Sequence, residues 1–340
     1  MVAVACPGEP AEAIAGFWRR WAAFAIDILL LAAVLMSLGL LLFRFATSLG
    51  PGGRVVGLTT ALVYFAWLDS RIGHGRTPGK RLLGLRVVDR TGRLLSPARA
   101  ALRFLVIAFP LFGAGLWLDL DPLEPSAHAL TVLLAILWLA SAGAIAYLTA
   151  FNRPGRQSLQ DLAVDSFVVR RPVAGSLPFA TRRLHLLVVG AWLLLLIPAV
   201  PGMTALVGSD RWFGADRDPL ARLRQDLAAS PSLARVRVAT GVARTRRQGA
   251  GLDWTTYLAV TVRPARSDAE PKTLILAIAA TVLEEMPDLL GQEVLLIKVT
   301  RGFDLGLARW SSTYQAALDG AGWHRLLIQD ALRPDKSGSG

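Results

Sequence analysis

Apolar and charged positions alternate in blocks along the first two hundred or so residues. Five apolar runs stand out: Trp21–Phe43, Val55–Leu68, Phe104–Leu118, one within Pro125–Asn152 and one within Leu184–Ser209. A helix that crosses the hydrocarbon core needs about 20 predominantly apolar residues. The first, fourth and fifth runs meet that length unaided. Val55–Leu68 is shorter and spans if it starts near Leu49 with Arg54 snorkelling to the interface. Phe104–Leu118 contains Pro110, which should kink it; packed neighbours in a membrane tolerate such a break. After about residue 210 the pattern changes to alternating helix and strand signals. Helical spacing marks 219–229 and 273–286. Strand patterning marks 235–242, 255–263, 293–300 and 305–314, the last two joined through Gly302–Asp304. The predicted fold is an α-helical multi-pass membrane bundle of about five helices followed by a small soluble α+β domain.

Charge sharpens this division. Only 18% of the chain is charged, against about 25% in soluble domains. Residues 209–340 hold 18 of the 37 Lys and Arg and 15 of the 25 acids. The segment before run one, the loop between runs two and three, and the loop between runs four and five carry seventeen basic residues. The intervening loops carry only Arg44 and Arg54. By the positive-inside rule the N-terminus and both basic loops face the cytoplasm. Five spans then put the C-terminal domain outside, in the periplasm of a two-membrane bacterium. The net charge of +12 is this loop bias rather than a nucleic-acid surface. Cys6 is the only cysteine, so no intrachain disulfide forms.

The predicted organisation is an N-terminal tail (1–15), a four-helix membrane region (16–171), a linker with the fifth helix (172–209) and an extracytoplasmic domain (210–335). Within the cytoplasmic loops, Leu85–Asp89 and Ser166–Arg170 have strand composition. They either pair under the helices or remain separate solvated loops.

Candidate chemistry centres on Asp27, the sole charge in run one. A carboxylate at a helix centre costs roughly 2.5–3.5 kcal/mol on insertion scales. Arg20 lies seven residues earlier on nearly the same helical face, but ~10.5 Å away along the axis. Asp27 therefore needs a partner from another helix or from water in a cavity. Its role is either to fix the bundle or to take part in ion or substrate passage. Gly75–Arg81 contains Gly79-Lys80 but lacks the first glycine and the Ser/Thr of a phosphate loop. It reads as a basic turn at headgroup level, with Lys80, Arg81 and Arg86 as contacts to anionic lipid. Ser158–Asp161 reads as a capping box. The four histidines show no metal-ligand spacing, no nucleophilic-serine motif occurs, and Glu284-Glu285 with Asp288 reads as a solvated face. No enzymatic activity and no cofactor are expected.

Several of these segments occur together in order: Gly16–Asp27, Gly75–Val88, Arg103, Arg156–Asp161 and Val168-Val169. Together they resemble the RDD family of bacterial membrane proteins over residues 14–171. The resemblance implies a domain built around one arginine and two aspartates. It assigns Arg20 and Asp27 as the first two, with Asp161 as the third and Asp69 as its rival. In many relatives a histidine precedes that aspartate; here Gln160 stands there. The resemblance also implies transport, with cation–proton exchange linked to some members. The expected function is thus transport or cation/proton coupling through an intramembrane aspartate. The alternative is an anchor that presents the C-terminal domain to an envelope partner without transport. The bilayer and anionic headgroups are the expected partners, nucleic acid is not, and assembly into a homo-oligomer stays open.

Overall fold

The computed structural model describes residues 13–113, 125–152, 155–171, 177, 183–196, 217–246, 252–266, 269–287 and 294–331. They contain α1 (Phe17–Leu41), α2 (Phe43–Ser48), α3 (Gly53–Leu68), α4 (Pro78–Leu82), β1 (Arg86–Asp89), α5 (Pro97–Gly113), α6 (Pro125–Phe151), α7 (Leu159–Leu162), β2 (Ser166–Val169) and α8 (Arg183–Leu196). The tail adds α9 (Arg217–Ala228), β3 (Leu233–Arg246), β4 (Leu252–Pro264), α10 (Pro271–Glu285), β5 (Val294–Asp304), β6 (Arg309–Asp319) and α11 (Gly320–Ala331). Two compact units result. The first holds residues up to 42, 50–205 and 304–309, and the second holds 43–49, 206–303 and 310–340. The predicted boundary near residue 210 therefore misses two exchanges, since α2 groups with the tail and 304–309 groups with the helices.

The first unit is helical. Of its described helices, α1 and the Val132–Phe151 part of α6 are long and apolar enough to cross a membrane, while α3 and α8 are apolar but shorter. In α1 the buried positions are Arg20, Ala23, Asp27, Leu31, Leu35 and Gly39, spaced three or four apart. They form one stripe along the helix, and Leu29 and Leu30 on other faces are exposed. Exposed apolar surface on this scale is what a bilayer covers. The stripe of α3 is Gly53, Arg54, Gly57, Ala61 and Phe65. Arg54 does not snorkel; it is buried and pairs with Asp304 (2.7 Å) of the same unit. α3 and α5 meet where Phe65 stacks on Phe104 with ring centroids 4.7 Å apart. The α5 helix covers 104–113 of the third apolar run and continues through Pro110; 114–118 lie outside the described residues. Trp138 of α6 donates to the Pro110 carbonyl (2.6 Å), one of the last-turn carbonyls of α5 that have no partner within the helix. α8 packs on α6, with Tyr147 Oη 3.1 Å from His185 Nδ1. It covers 184–196 of the fifth run, and the remainder lies outside the described residues.

The two loop strands do pair. β1 and β2 form an antiparallel two-stranded sheet with Arg86 opposite Val169 and Asp89 opposite Ser166. The chain before α1 joins them, since Ala15 N donates to the Val168 carbonyl and Arg170 N to that of Ala13. Leu85, Val87, Val164 and Val168 are buried with Ala15 and Ala23. Val88, Phe167 and Val169 are buried with Ile14 and Leu177. The solvated-loop alternative is thereby overturned: a sheet with apolar residues on both faces buries them on both.

The second unit is an α/β domain. Its sheet has the order β3-β4-β5-β6. β3 and β4 are antiparallel. β4 and β5 are parallel and need a crossover, which α10 provides. Expected strand 305–314 begins later, at Arg309, because the turn closes at Leu305 N to Ala308 O (2.8 Å). Leu223 of α9, Val282 of α10 and Trp323 of α11 are buried, as are Val260 and Ile297 of the sheet. The Trp323 indole donates to the Leu295 carbonyl (3.0 Å), so a large core residue also satisfies its polar edge.

One close approach locks α4 to α1. A Cβ on Gly79 would lie 2.2 Å from the Ala23 carbonyl oxygen. Gly79→Ala is therefore predicted to destabilise the first unit by about 1–3 kcal/mol. Gly190→Ala, where nothing lies within 4 Å, should cause no loss. Thermal unfolding of the two variants in detergent compares them directly.

Candidate functional site

Six charged side chains of the first unit are buried around the junction of α1, α3, α4, α5 and α7: Arg20, Lys80 and Arg103 against Asp27, Asp69 and Asp161. Three positive and three negative groups leave no formal excess. Local sequence sets each position. Asp69 is the C-cap residue of α3. Thr77 N-caps α4, with Pro78 in its first turn, which fixes Lys80 one turn in. The Ser158–Asp161 capping box starts α7.

Arg103 joins the two halves of the cluster. Its Nε donates to Asp161 Oδ1 (2.9 Å) and its Nη1 to Asp69 Oδ2 (3.0 Å). Arg20 pairs with the other oxygen of Asp161 and also donates to the Arg156 carbonyl. The Ser158 hydroxyl and backbone N–H (2.9 and 3.2 Å) and the Ser166 hydroxyl (3.3 Å) complete the shell around Asp161. Lys80 Nζ grips both oxygens of Asp69 at 2.5 and 2.7 Å. Asp161 and Asp69, alternatives for one position in the sequence, thus belong to one network.

Asp27 stands apart from the arginines. It accepts from the Tyr64 hydroxyl (2.9 Å), the Thr77 hydroxyl (2.5 Å) and the Gly79 backbone N–H (2.8 Å). Its partners come from α3 and the start of α4, as the helical geometry required, and Arg20 is not one of them. Of the three residues expected at the headgroups, Lys80 is instead buried against Asp69. Its four-carbon stem runs inward, and the ammonium lies 5.7 Å from the Phe65 ring. Arg81 is exposed and Arg86 partly so. Arg103 was missed as a site residue. Its signal was an arginine on the apolar face of a helix, one turn after Arg99. Tyr64 and Thr77 gave no comparable signal.

A cavity of about 400 Å³ opens onto the cluster. Phe24, Phe104 and Trp138 are among its apolar walls, and Arg20, Asp69, Lys80, Arg103 and Gln160 supply its polar side. Asp27 is not among the described residues that line it. The buried Gln160 side-chain carbonyl has no hydrogen-bond partner.

Residues 14–165 match the model of the RDD family. The match ends six residues before the expected limit of 171 and leaves the C-terminal region as an addition to the RDD domain. No curated protein matches the chain. Arg20, Asp69 and Asp161, which the resemblance singled out, meet in one buried cluster held together by Arg103.

Two members of the cluster, Asp161 and Lys80, lie outside the apolar helices and have shifted proton affinities. Burial opposes the ionisation of Asp161, yet Arg20 and then Arg103 outweigh it and hold the carboxyl well below the usual carboxylate range. Burial pushes the Lys80 ammonium below the ordinary lysine value, opposed by Asp69 and assisted by Arg103. Arg103→Met leaves two buried carboxylates short of a partner and should cost about 3–5 kcal/mol, read by unfolding in detergent. The folded pKa of Asp161 lies below its unfolded value of about 3.9. Its stabilisation is therefore complete above about pH 4 and is lost as the pH falls toward the folded value. Acid unfolding of wild type and Asp161→Asn should accordingly converge only in that acid range.

Proposed function

We propose that the RDD domain exchanges a cation for a proton across the bacterial inner membrane, with Asp69 and Lys80 as the exchange site. The observation that carries this reading is the Asp69–Lys80 pair at the wall of the cavity, where a solute reaches it. Asp27, the first candidate for that role, already accepts three hydrogen bonds from Tyr64, Thr77 and Gly79 and serves as the clamp between α1, α3 and α4. Lys80, its proton affinity lowered by burial, releases a proton to water. The Asp69 carboxylate then carries an unbalanced charge, which a cation entering the cavity neutralises. Exchange runs one cation for one proton, and the cluster keeps its neutrality in both states. In vesicles carrying a pH gradient, added sodium, lithium or potassium should release protons through the wild type. Lys80→Gln and Asp69→Asn should abolish that release. Exchange retained in both variants, or absent from the wild type, removes the reading.

A second reading keeps the membrane part as an anchor for the C-terminal domain, which would bind an envelope component. The separate α/β fold and core of that domain favour it. Both readings use five spans with a cytoplasmic N-terminus and an extracytoplasmic tail, supported by the seventeen-to-two division of basic residues between the loops. A periplasm-dependent reporter fused after Ala331 should be active. A reporter active only in the cytoplasm would remove this topology.

A further inference from the structure

The second unit contains a basic recess formed by three segments. It is lined by Arg44, Thr47 and Ser48 of α2, by Arg263 to Arg266 at the end of β4, and by Arg301 and Gly302 of β5, and it encloses about 220 Å³. Four arginines reach it, and no carboxylate is among the described residues that line it. The Thr47 and Ser48 hydroxyls donate to carbonyls of their own helix and keep oxygens that accept.

Arg301 is the informative member. Its Nε and Nη2 are buried and have no hydrogen-bond partner. The guanidinium carbon sits 5.9 Å from the centre of the Tyr314 ring, which holds the side chain in place without satisfying its N–H groups. Arg263 donates to the Gly302 carbonyl, so the neighbouring backbone acceptor is already engaged. A buried charged donor left unpaired costs more than an ordinary missing hydrogen bond. Two adjacent N–H groups of one guanidinium present the fork that matches two oxygens of a phosphate or carboxylate.

We infer that this recess is an anion site that takes a phosphate group, with Arg301 as its bidentate anchor and Arg44 and Arg266 supplying further charge. α2 begins two residues after the end of α1, at the edge of an apolar span. The phosphodiester of an anionic lipid headgroup and soluble phosphate both carry the required chemistry.

The test uses the full chain in nanodiscs. In neutral phosphatidylcholine discs, inorganic phosphate is titrated by calorimetry. In discs containing some phosphatidylglycerol, lipid retained on the protein is measured by mass spectrometry. Phosphate binding weakened about tenfold or more by Arg301→Gln, equivalent to about 1.4 kcal/mol, supports the site with a soluble anion as its ligand. No phosphate binding, but phosphatidylglycerol enrichment that Arg301→Gln abolishes, supports the site with lipid as its ligand. The anion-free Arg301→Gln protein should unfold no earlier than wild type, because the substitution removes two buried guanidinium nitrogens that have no hydrogen-bond partner. If that variant fails to fold, Arg44→Gln and Arg266→Gln carry the same comparison. Binding of neither probe, or binding that these substitutions leave unchanged, overturns the inference.

Discussion

Arg103 bridges Asp69 and Asp161, and the first unit is arranged around that bridge. In a low-dielectric interior an isolated charge is expensive, and a pair is tolerable only when its geometry and remaining hydrogen bonds are nearly complete. Here each end of the bridge carries a second cation: Lys80 on Asp69 and Arg20 on Asp161. The five side chains come from α1, α4, α5, α7 and the end of α3. The cluster therefore fixes how those elements meet. Removal of any one member leaves an unbalanced charge among buried side chains, which makes the network a strong constraint on the arrangement.

Asp27 solves a related problem differently. It accepts two hydroxyls and one backbone N–H. The carboxylate is satisfied by dipoles, and the loop before α4 is drawn onto α1. Gly79 is needed there because any side chain would meet the Ala23 carbonyl. That contact in turn sets Lys80 against Asp69. A clamp made without a counter-ion thus positions a member of the ion-pair network, and the two sites act as one structural device.

The sequence was most legible where a physical rule acts locally. Asp27 stood out because nothing else in Trp21–Phe43 is charged. Its need for a partner outside α1 followed from helix geometry. The Ser158–Asp161 capping box and the pairing of β1 with β2 were visible as spacing and strand composition. Lys80 was misread because a basic residue in a Gly-Pro-rich loop looks solvent-facing, and nothing local reveals that a buried aspartate waits eleven residues earlier. Arg103 was quoted but given no role for the same reason. Two helices and the strands of the tail were legible to within about four residues, apart from the β5–β6 turn, where apolar Leu305 and Leu307 resembled strand; α11 was not expected.

The sequence by itself determined the separation of an apolar helical part from an α/β tail, the membrane character of the first, and the one aspartate that demanded compensation. These follow from hydrophobic periodicity and from the cost of charge in an apolar run, both properties of short segments. Only the tertiary structure decided the pairing: that Arg20 serves Asp161 rather than Asp27, that Asp69 and Asp161 share Arg103, and that Lys80 turns inward. Ion pairs between residues 34, 58 and 141 positions apart depend on how helices pack, and side-chain charge alone does not specify which opposite charge it will meet.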